Sequence, residues 1–131
     1  MGKIAVLIVD VQKALVEAQP YREEEFLQEL ENLADSARKA GTEIIYVRHD
    51  GGAGDELESG TEGWKIHEAV EPKTGERIFD KSFNSAFLET DLEEYLKEKQ
   101  ITDLILMGMQ TEYCIDATCK AAFELGYGVV I

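Results

Sequence analysis

One segment decides which fold the sequence predicts: 104–126, LILMGMQTEYCIDATCKAAFELG. Its first four residues form an apolar run that stops at Gly108, and an amphipathic pattern begins near Thr111. This order predicts a buried strand followed by a helix, with Cys114 in the first turn of that helix. A thiol there lies in the positive field of the helix N-terminus, which favours the nucleophilic thiolate, and nearby unpaired N–H groups can bind an oxyanion. The segment therefore suits acyl transfer.

The same cysteine has a second interpretation, as a packing residue. Five residues recur at helical spacing on one stripe: Cys114, Thr118, Ala121, Ala122 and Leu125. Free cysteine is among the most buried residue types, so this segment alone favours packing over catalysis. Cys119 lies off the stripe and is interpreted as structural.

Size and charge narrow the classes of partner. The 131 residues predict a single domain, 1–131, with a formal net charge of −14 from 27 acidic and 13 basic residues. That charge argues against nucleic acid and against anionic membrane surfaces as partners.

No apolar run approaches the ~20 residues of a membrane span. The first residues lack a cleavage-site pattern, so no signal peptide is expected. The two cysteines are poorly placed to pair with each other, which favours a reducing, cytoplasmic setting.

Apolar runs alternate with helical patterns along the chain, which predicts a doubly wound α/β fold. The predicted elements are a strand at Ile4–Val9, a helix at 24–40 stopped by Gly41, a strand at 44–47, a short edge strand at Arg77–Lys81, a helix opened by a capping box at 90–93 and running to about Lys99, the strand at 104–107, the Cys114 helix and a last strand from near Tyr127. The glycine-rich stretch 49–75 is too long for an idle loop, and such loops often line sites.

Sites in such folds lie outside the carboxyl ends of the strands. Asp10, His49, Asp50 and Gly108 follow or end predicted strands, so we expect them at one rim. No phosphate-binding loop and no dinucleotide fingerprint follows a strand, so no nucleotide cofactor is expected.

Asp10 and Lys81 are the charged candidates for chemistry. Asp10 ends an apolar strand, where a charge must be paired or functional, but an Asx cap on the following turn explains it equally well. Lys81 ends the predicted edge strand, and a solvated lysine is its commoner interpretation. A lysine placed between a carboxylate and a thiol would lower the pKa of the thiol.

Four segments occurring in order carry a family resemblance: 6–12, 46–50, 79–87 and 108–114. With them the chain resembles the isochorismatase-like cysteine hydrolases, the group that includes nicotinamidases, N-carbamoylsarcosine amidohydrolases and isochorismatases. The resemblance implies a doubly wound, three-layer α/β/α, Rossmann-like fold with a mostly parallel sheet.

The resemblance also implies roles for individual residues. Cys114 would attack the substrate carbonyl, Asp10 would take the thiol proton and later pass it to the leaving amine, and Lys81 would stabilise the thiolate. A cis peptide would lie between Met109 and Gln110. The backbone N–H groups of Gln110 and Cys114 would then form the oxyanion hole.

Leu15 and Trp64 match positions that line the substrate pocket in the family, although plain loop packing is as good an explanation of Trp64. The sequence departs from nicotinamidases, which carry an Asp-x-His pattern after strand two together with further histidines. Here that position reads Arg48-His49-Asp50, and the only other histidine is His67, so we predict no metal and disfavour nicotinamide as substrate.

The resemblance predicts an amidohydrolase without a cofactor that cleaves a C–N bond of a small amide or urea through a cysteine thioester. The alternatives are isochorismatase-type vinyl-ether hydrolysis and a non-catalytic binding or scaffold member of the fold. A homo-oligomer is expected because the family usually assembles. Family members usually continue with another helix and strand, so the chain is expected to be either a C-terminally truncated fragment or a domain whose sheet edge is covered in another way.

Overall fold

The computed structural model describes residues 2–17, 23–83, 85–108 and 116–130, and a parallel sheet forms its centre. The strands are β1 (Ile4–Val9), β2 (Glu43–His49), β3 (Arg77–Lys81), β4 (Asp103–Gly108) and β5 (Gly128–Val130). Their order across the sheet is β3-β2-β1-β4-β5, and each neighbouring pair is parallel. β1 is therefore central. β3 lies at an edge, as the sequence predicts for Arg77–Lys81.

Helices cover both faces of the sheet. They are α1 (Lys13–Glu17), α2 (Glu23–Lys39), a 3₁₀ helix (Glu68–Val70), α3 (Leu92–Glu98) and α4 (Asp116–Glu124). α2 buries Leu30 and Ala34 in one core, and α3 and α4 bury Leu96 and Ala122 in the other. The predicted three-layer, doubly wound fold is confirmed.

Side chains along β1 alternate between the two cores, which explains why every residue of this strand is apolar. Leu7 and Val9 point to the core under α3 and α4, whereas Val6 and Ile8 point to the core under α2. Because successive side chains of a strand point to opposite faces, a central strand covered on both sides must be apolar throughout.

The predicted end of α2 is confirmed. Gly41 has φ 75°, and its N–H donates to the Arg38 carbonyl at 3.0 Å while the Thr42 N–H donates to the Ala37 carbonyl at 2.9 Å. Glycine adopts this left-handed conformation without the steric cost of a Cβ, so it ends the helix where the pattern predicts.

The predicted capping box at the start of α3 is wrong. The N-cap of α3 is Asp91, whose side chain makes no capping hydrogen bond. The hydroxyl of Thr90 instead donates to the Ala86 carbonyl and accepts from the Leu92 N–H. Thr90 thus fixes the turn before the helix, because its hydroxyl is held by the preceding backbone.

The predicted apolar stripe on α4 is correct at Thr118 and Ala122, which are buried, and wrong at Leu125, which is 47% exposed. The helix ends at Glu124, and Gly126 has φ 94°, so Leu125 no longer follows helical spacing. Cys119 is half-buried and packs against the core below α3 and α4, as its structural interpretation predicts.

Within the described part of the chain, no helix has the length and apolar character needed to cross a membrane.

Candidate active site

The order of the strands places a topological switch beside β1. The chain runs from β1 outward to β2 and β3 on one side, and through β4 to β5 on the other. In the register of the sheet, Val9 at the end of β1 lies beside Val47 and beside Gly108. Open α/β sheets bind their ligands outside the carboxyl ends of the strands at such a switch, so this rim is the candidate site.

The backbone at the switch is tightly packed. A Cβ on Gly108, which has φ 150°, would lie 1.8 Å from the Val9 carbonyl oxygen. Asp10 has φ 58°, an uncommon conformation for a residue other than glycine, and its N–H donates to the Val47 carbonyl at 2.9 Å. The close approach at Gly108 brings the end of β4 directly alongside the end of β1.

Asp10 and Lys81 form a buried ion pair at this rim. The Lys81 Nζ lies 3.3 Å from the Asp10 Oδ2, and each residue is 1% exposed. Lys81 ends β3, which is separated from β1 by β2, and its long side chain covers that distance. The family resemblance implies that the two residues act in one site, and the structure brings them into contact.

The Asp10 carboxylate has hydrogen-bonding capacity that the described residues leave unused. Among the described residues, no donor makes a hydrogen bond to either of its oxygens, although the Lys81 ammonium is close enough for an ion pair. A buried carboxylate normally accepts several hydrogen bonds, because burying it without them costs free energy. An oxygen left available in this way can accept a proton from a reacting group.

Lys81 has two further contacts with described residues. Its Nζ donates to the Phe83 carbonyl at 3.0 Å and lies 3.4 Å from the Nδ1 of His49. Burial lowers the pKa of His49, and the positive charge of Lys81 lowers it further, so the imidazole is neutral at pH 7. In a neutral ring protonated at Nε2, the Nδ1 can accept a hydrogen bond from the Lys81 Nζ. Sequence reasoning placed His49 at this rim without giving it a role.

Sequence reasoning missed Gln12, which is 0% exposed. Its Oε1 accepts from the His49 N–H at 2.9 Å, and its Nε2 donates to the carbonyl oxygens of His49 at 2.9 Å and of Trp64 at 2.8 Å. A glutamine just after a strand is ordinarily a solvated turn residue. Its partners are 37 and 52 residues away along the chain, so no local pattern indicates them.

Both residues predicted to line the pocket lie on segments that border this rim. Leu15 is buried in α1, which begins three residues after Asp10. The Trp64 ring lies under the Arg48 guanidinium, 3.6 Å from its Cζ, and its Nε1–H donates to the Asp80 Oδ1 at 3.2 Å. Their contact with a substrate stays a prediction.

Cys114, Gln110 and the predicted cis bond between Met109 and Gln110 lie outside the described residues. They belong to the connection between β4, whose last residue pairs with Val9, and α4, which begins at Asp116. The roles of the nucleophile and the oxyanion hole therefore stay predictions.

The described residues define a class: a doubly wound parallel α/β domain with a buried carboxylate–ammonium pair at its switch point. The family model described as the Isochorismatase domain matches residues 4–131, and the chain belongs to the isochorismatase family of hydrolases. The predicted resemblance is confirmed.

Relatives of known sequence include two named hydrolases. Streptothricin hydrolase from Streptomyces noursei is 35% identical over 130 residues, which cover 97% of this chain and 47% of that protein. The nicotinamidase of Escherichia coli is 33% identical over 81 residues, which cover 53% of this chain and 38% of that protein. The chain thus spans about half the length of the first curated relatives that it matches.

Solved structures of similar proteins have the same fold as this chain. An isochorismatase from Pseudomonas putida superposes with a TM-score of 0.89 at 30% identity, covering 96% of this chain and 66% of that one. A cysteine hydrolase from Pseudomonas syringae pv. phaseolicola gives 0.88 at 27% identity, covering 97% and 68%.

Proposed function

We propose that this chain carries the active site of a cysteine hydrolase that cleaves a C–N bond in a small amide or urea. Cys114 is the nucleophile, Asp10 is the group that moves protons, and Lys81 stabilises the charges of both. The bond is broken through a thioester between Cys114 and the acyl part of the substrate. No cofactor takes part in this mechanism.

The observation that carries the proposal is the buried contact between Asp10 and Lys81. The two groups are 3.3 Å apart, almost fully excluded from solvent, and located at the switch point of the sheet. Replacing a buried ion pair with apolar residues is often neutral or stabilising, so its presence is weak evidence of a stabilising role. A carboxylate that accepts no hydrogen bond from the described residues and lies next to an ammonium fits a proton-transfer role better.

The reaction proceeds in two balanced steps. In the first, the Cys114 thiol gives its proton to Asp10 as the sulfur bonds to the carbonyl carbon, and the resulting oxyanion collapses as Asp10 gives that proton to the departing nitrogen. The C–N bond breaks, and the amine or ammonia leaves. In the second step, the oxygen of a water molecule attacks the thioester carbon while Asp10 takes one proton from that water. The C–S bond breaks, and Asp10 returns the proton to the thiolate of Cys114.

The names of the similar proteins support this choice of chemistry. A nicotinamidase, a streptothricin hydrolase and a solved cysteine hydrolase are among them. The family model is described only as an Isochorismatase domain, so vinyl-ether hydrolysis is the competing reaction. Acyl transfer requires both an attacking group and a protonated leaving group, and the roles proposed for Cys114 and Asp10 meet these two needs.

A panel of small primary amides, N-carbamoyl compounds and ureas tests the proposal, with ammonia release as the readout. We expect at least one compound to be hydrolysed by the chain and none to be hydrolysed by the Cys114→Ala variant. Cys119→Ala is the matched control and should keep the activity. Ammonia release by the Cys114→Ala variant would contradict the thioester mechanism. Turnover of isochorismate with no turnover of any amide would contradict the C–N assignment.

Homo-oligomeric assembly and cytoplasmic location are untested by the geometry of the site, and both stay predictions.

A further inference from the structure

The segment 63–67 is attached to the turn that follows Asp10. Three backbone hydrogen bonds join them: Lys13 N–H to the Lys65 carbonyl at 2.9 Å, Ala14 N–H to the Gly63 carbonyl at 3.0 Å, and His67 N–H to the Val11 carbonyl at 2.8 Å. Gln12 and Ile66 form an antiparallel bridge within this contact. Part of the long glycine-rich stretch is therefore an ordered wall beside the site.

Gly63 allows this attachment to be close. A Cβ at this position would lie 2.5 Å from the Glu56 carbonyl oxygen and 2.9 Å from the Ala14 Cβ. Only a residue without a side chain fits between these two groups. Glycine at position 63 therefore allows the segment 63–67 to lie close to Ala14 in α1.

The three backbone hydrogen bonds do not include the carbonyl of Trp64, which accepts from a side chain instead. The Gln12 Nε2 fills this place at 2.8 Å and gives its other N–H to the carbonyl of His49, while the Gln12 Oε1 accepts from the His49 N–H. A carboxamide has two donors on one end and an acceptor on the other. Among the natural side chains of this length, glutamine alone supplies this set without a charge.

The position of Trp64 is thereby connected to the buried ion pair. Gln12 holds Trp64 and His49 together through their backbones, and the His49 ring lies 3.4 Å from the Lys81 Nζ. The indole ring is fixed separately by Arg48, which stacks on it, and by Asp80, which accepts from its N–H and binds Arg48 through two hydrogen bonds of 2.8 and 2.9 Å. Both the backbone and the ring of Trp64 are thus held in one place.

We propose that Gln12 is a positioning residue that sets the location of Trp64 at the rim of the site and, through it, the affinity for substrate. The kinetic part of this inference rests on the proposed function, whereas its structural part does not. Gln12 does not touch the reacting atoms in this scheme. It acts through the segment that it holds.

Trp64 is the only tryptophan in the chain, so its fluorescence reports directly on this wall. In Gln12→Met, which keeps the length of the side chain but removes the three hydrogen bonds, we expect the emission maximum of the folded protein to shift to longer wavelength. We also expect quenching by acrylamide to increase. Gln28→Met is the matched control, because Gln28 is exposed on α2 and bonds only to Asn32 among the described residues. Its emission should equal that of the wild type.

Kinetics on any amide that the chain hydrolyses gives the second readout. Loosening a wall that binds the substrate without joining the reaction should raise KM about tenfold and change kcat by less than about threefold. A folded Gln12→Met with lowered thermal stability but wild-type emission, quenching and KM would overturn the inference, because Gln12 would then be merely structural. If no substrate is hydrolysed at all, the proposed function fails, and the fluorescence still decides the role of Gln12.

If Gln12→Met does not fold, Gln12→Glu tests whether Gln12 positions Trp64. When ionised, the glutamate can accept from His49 but cannot donate to either carbonyl, and when protonated it regains one donor. We expect the altered Trp64 emission at pH 8 to return towards that of the wild type, measured at the same pH, when the solution is acidified to about pH 5. Emission identical to that of the wild type at both pH values would overturn the inference.

Discussion

Asp10→Asn is expected to reduce kcat by about 10²- to 10⁴-fold, the range that a positioned general acid–base contributes. The amide is nearly the same shape as the carboxylate, but it cannot take the thiol proton or return it to the leaving nitrogen. Asparagine also tolerates the left-handed backbone that Asp10 adopts at φ 58°. The variant should therefore fold, although with lower stability, because Lys81 loses its buried counter-ion.

The matched control for this substitution is Asp35→Asn. Asp35 is exposed on α2 and pairs with Arg38 at 3.3 Å, so the same chemical change there removes only a surface ion pair. Its kcat should equal that of the wild type. Circular dichroism verifies that both variants are folded at the assay temperature. A folded Asp10→Asn variant with wild-type kcat would exclude Asp10 as the proton carrier.

Gly108→Ala is expected to cost more than about 4 kcal/mol of unfolding free energy, the size that marks an exceptional substitution. The added Cβ would lie 1.8 Å from the carbonyl oxygen of Val9 and 2.7 Å from its carbonyl carbon. Relief would require β4 to separate from β1 at the rim, which would break the sheet at the candidate site. Chemical denaturation followed by circular dichroism measures the loss.

Gly75→Ala is the control for backbone strain without a clash. Gly75 has φ 90°, and a Cβ there would have no heavy atom within 4 Å. It should cost only about 1–2 kcal/mol, the penalty for a left-handed residue with a side chain. Equal losses in the two variants would show that contact with Val9 does not determine the need for glycine at Gly108.

The sequence predicts the sheet well because each strand carries its own signal. Ile4–Val9 and the run before Gly108 are apolar throughout. The structure places both strands in the interior of the sheet, where Ala5–Val9, Leu104 and Leu106 are buried. Parallel strands with covered faces leave few alternatives for such runs. The predictions that failed concern the ends of helices, at Thr90 and Leu125. There a single hydroxyl or a left-handed glycine decides the outcome.

The site could be predicted only in part. Asp10 could be recognised as unusual from its place at the end of an apolar strand, but on local grounds Lys81 was indistinguishable from a solvated lysine. Its burial follows from the order β3-β2-β1, which directs the side chain across β2 to Asp10. Strand order depends on the whole chain, so the family resemblance, and not the local pattern, identified Lys81.

Gln12 and the docked segment 63–67 show a second limit. Gln12 hydrogen-bonds to backbone groups, and backbone groups are present in every residue, so the sequence contains no complementary partner to find. Glycine-rich composition indicated a loop near the site. The attachment of 63–67 to the turn after Asp10 became apparent only from the three-dimensional structure.

The central claim is that Asp10, Lys81 and Cys114 act together, and the pH dependence of Cys114 alkylation tests it most directly. Iodoacetamide labelling, followed peptide by peptide with mass spectrometry, gives separate rates for Cys114 and for Cys119, which serves as the internal comparison. Measurements from pH 5 to pH 9 are made on the wild type, on Lys81→Met and on the chain unfolded in urea. Circular dichroism establishes that the variant is folded.

We expect wild-type Cys114 to react with an apparent pKa below the ~8.5 of a free thiol. Lys81→Met should raise that apparent pKa, because the positive charge that favours the thiolate is gone. The rate of Cys119 should be unaffected by the substitution. The account is contradicted if folded wild-type Cys114 reacts no faster than it does in urea and titrates identically with and without Lys81.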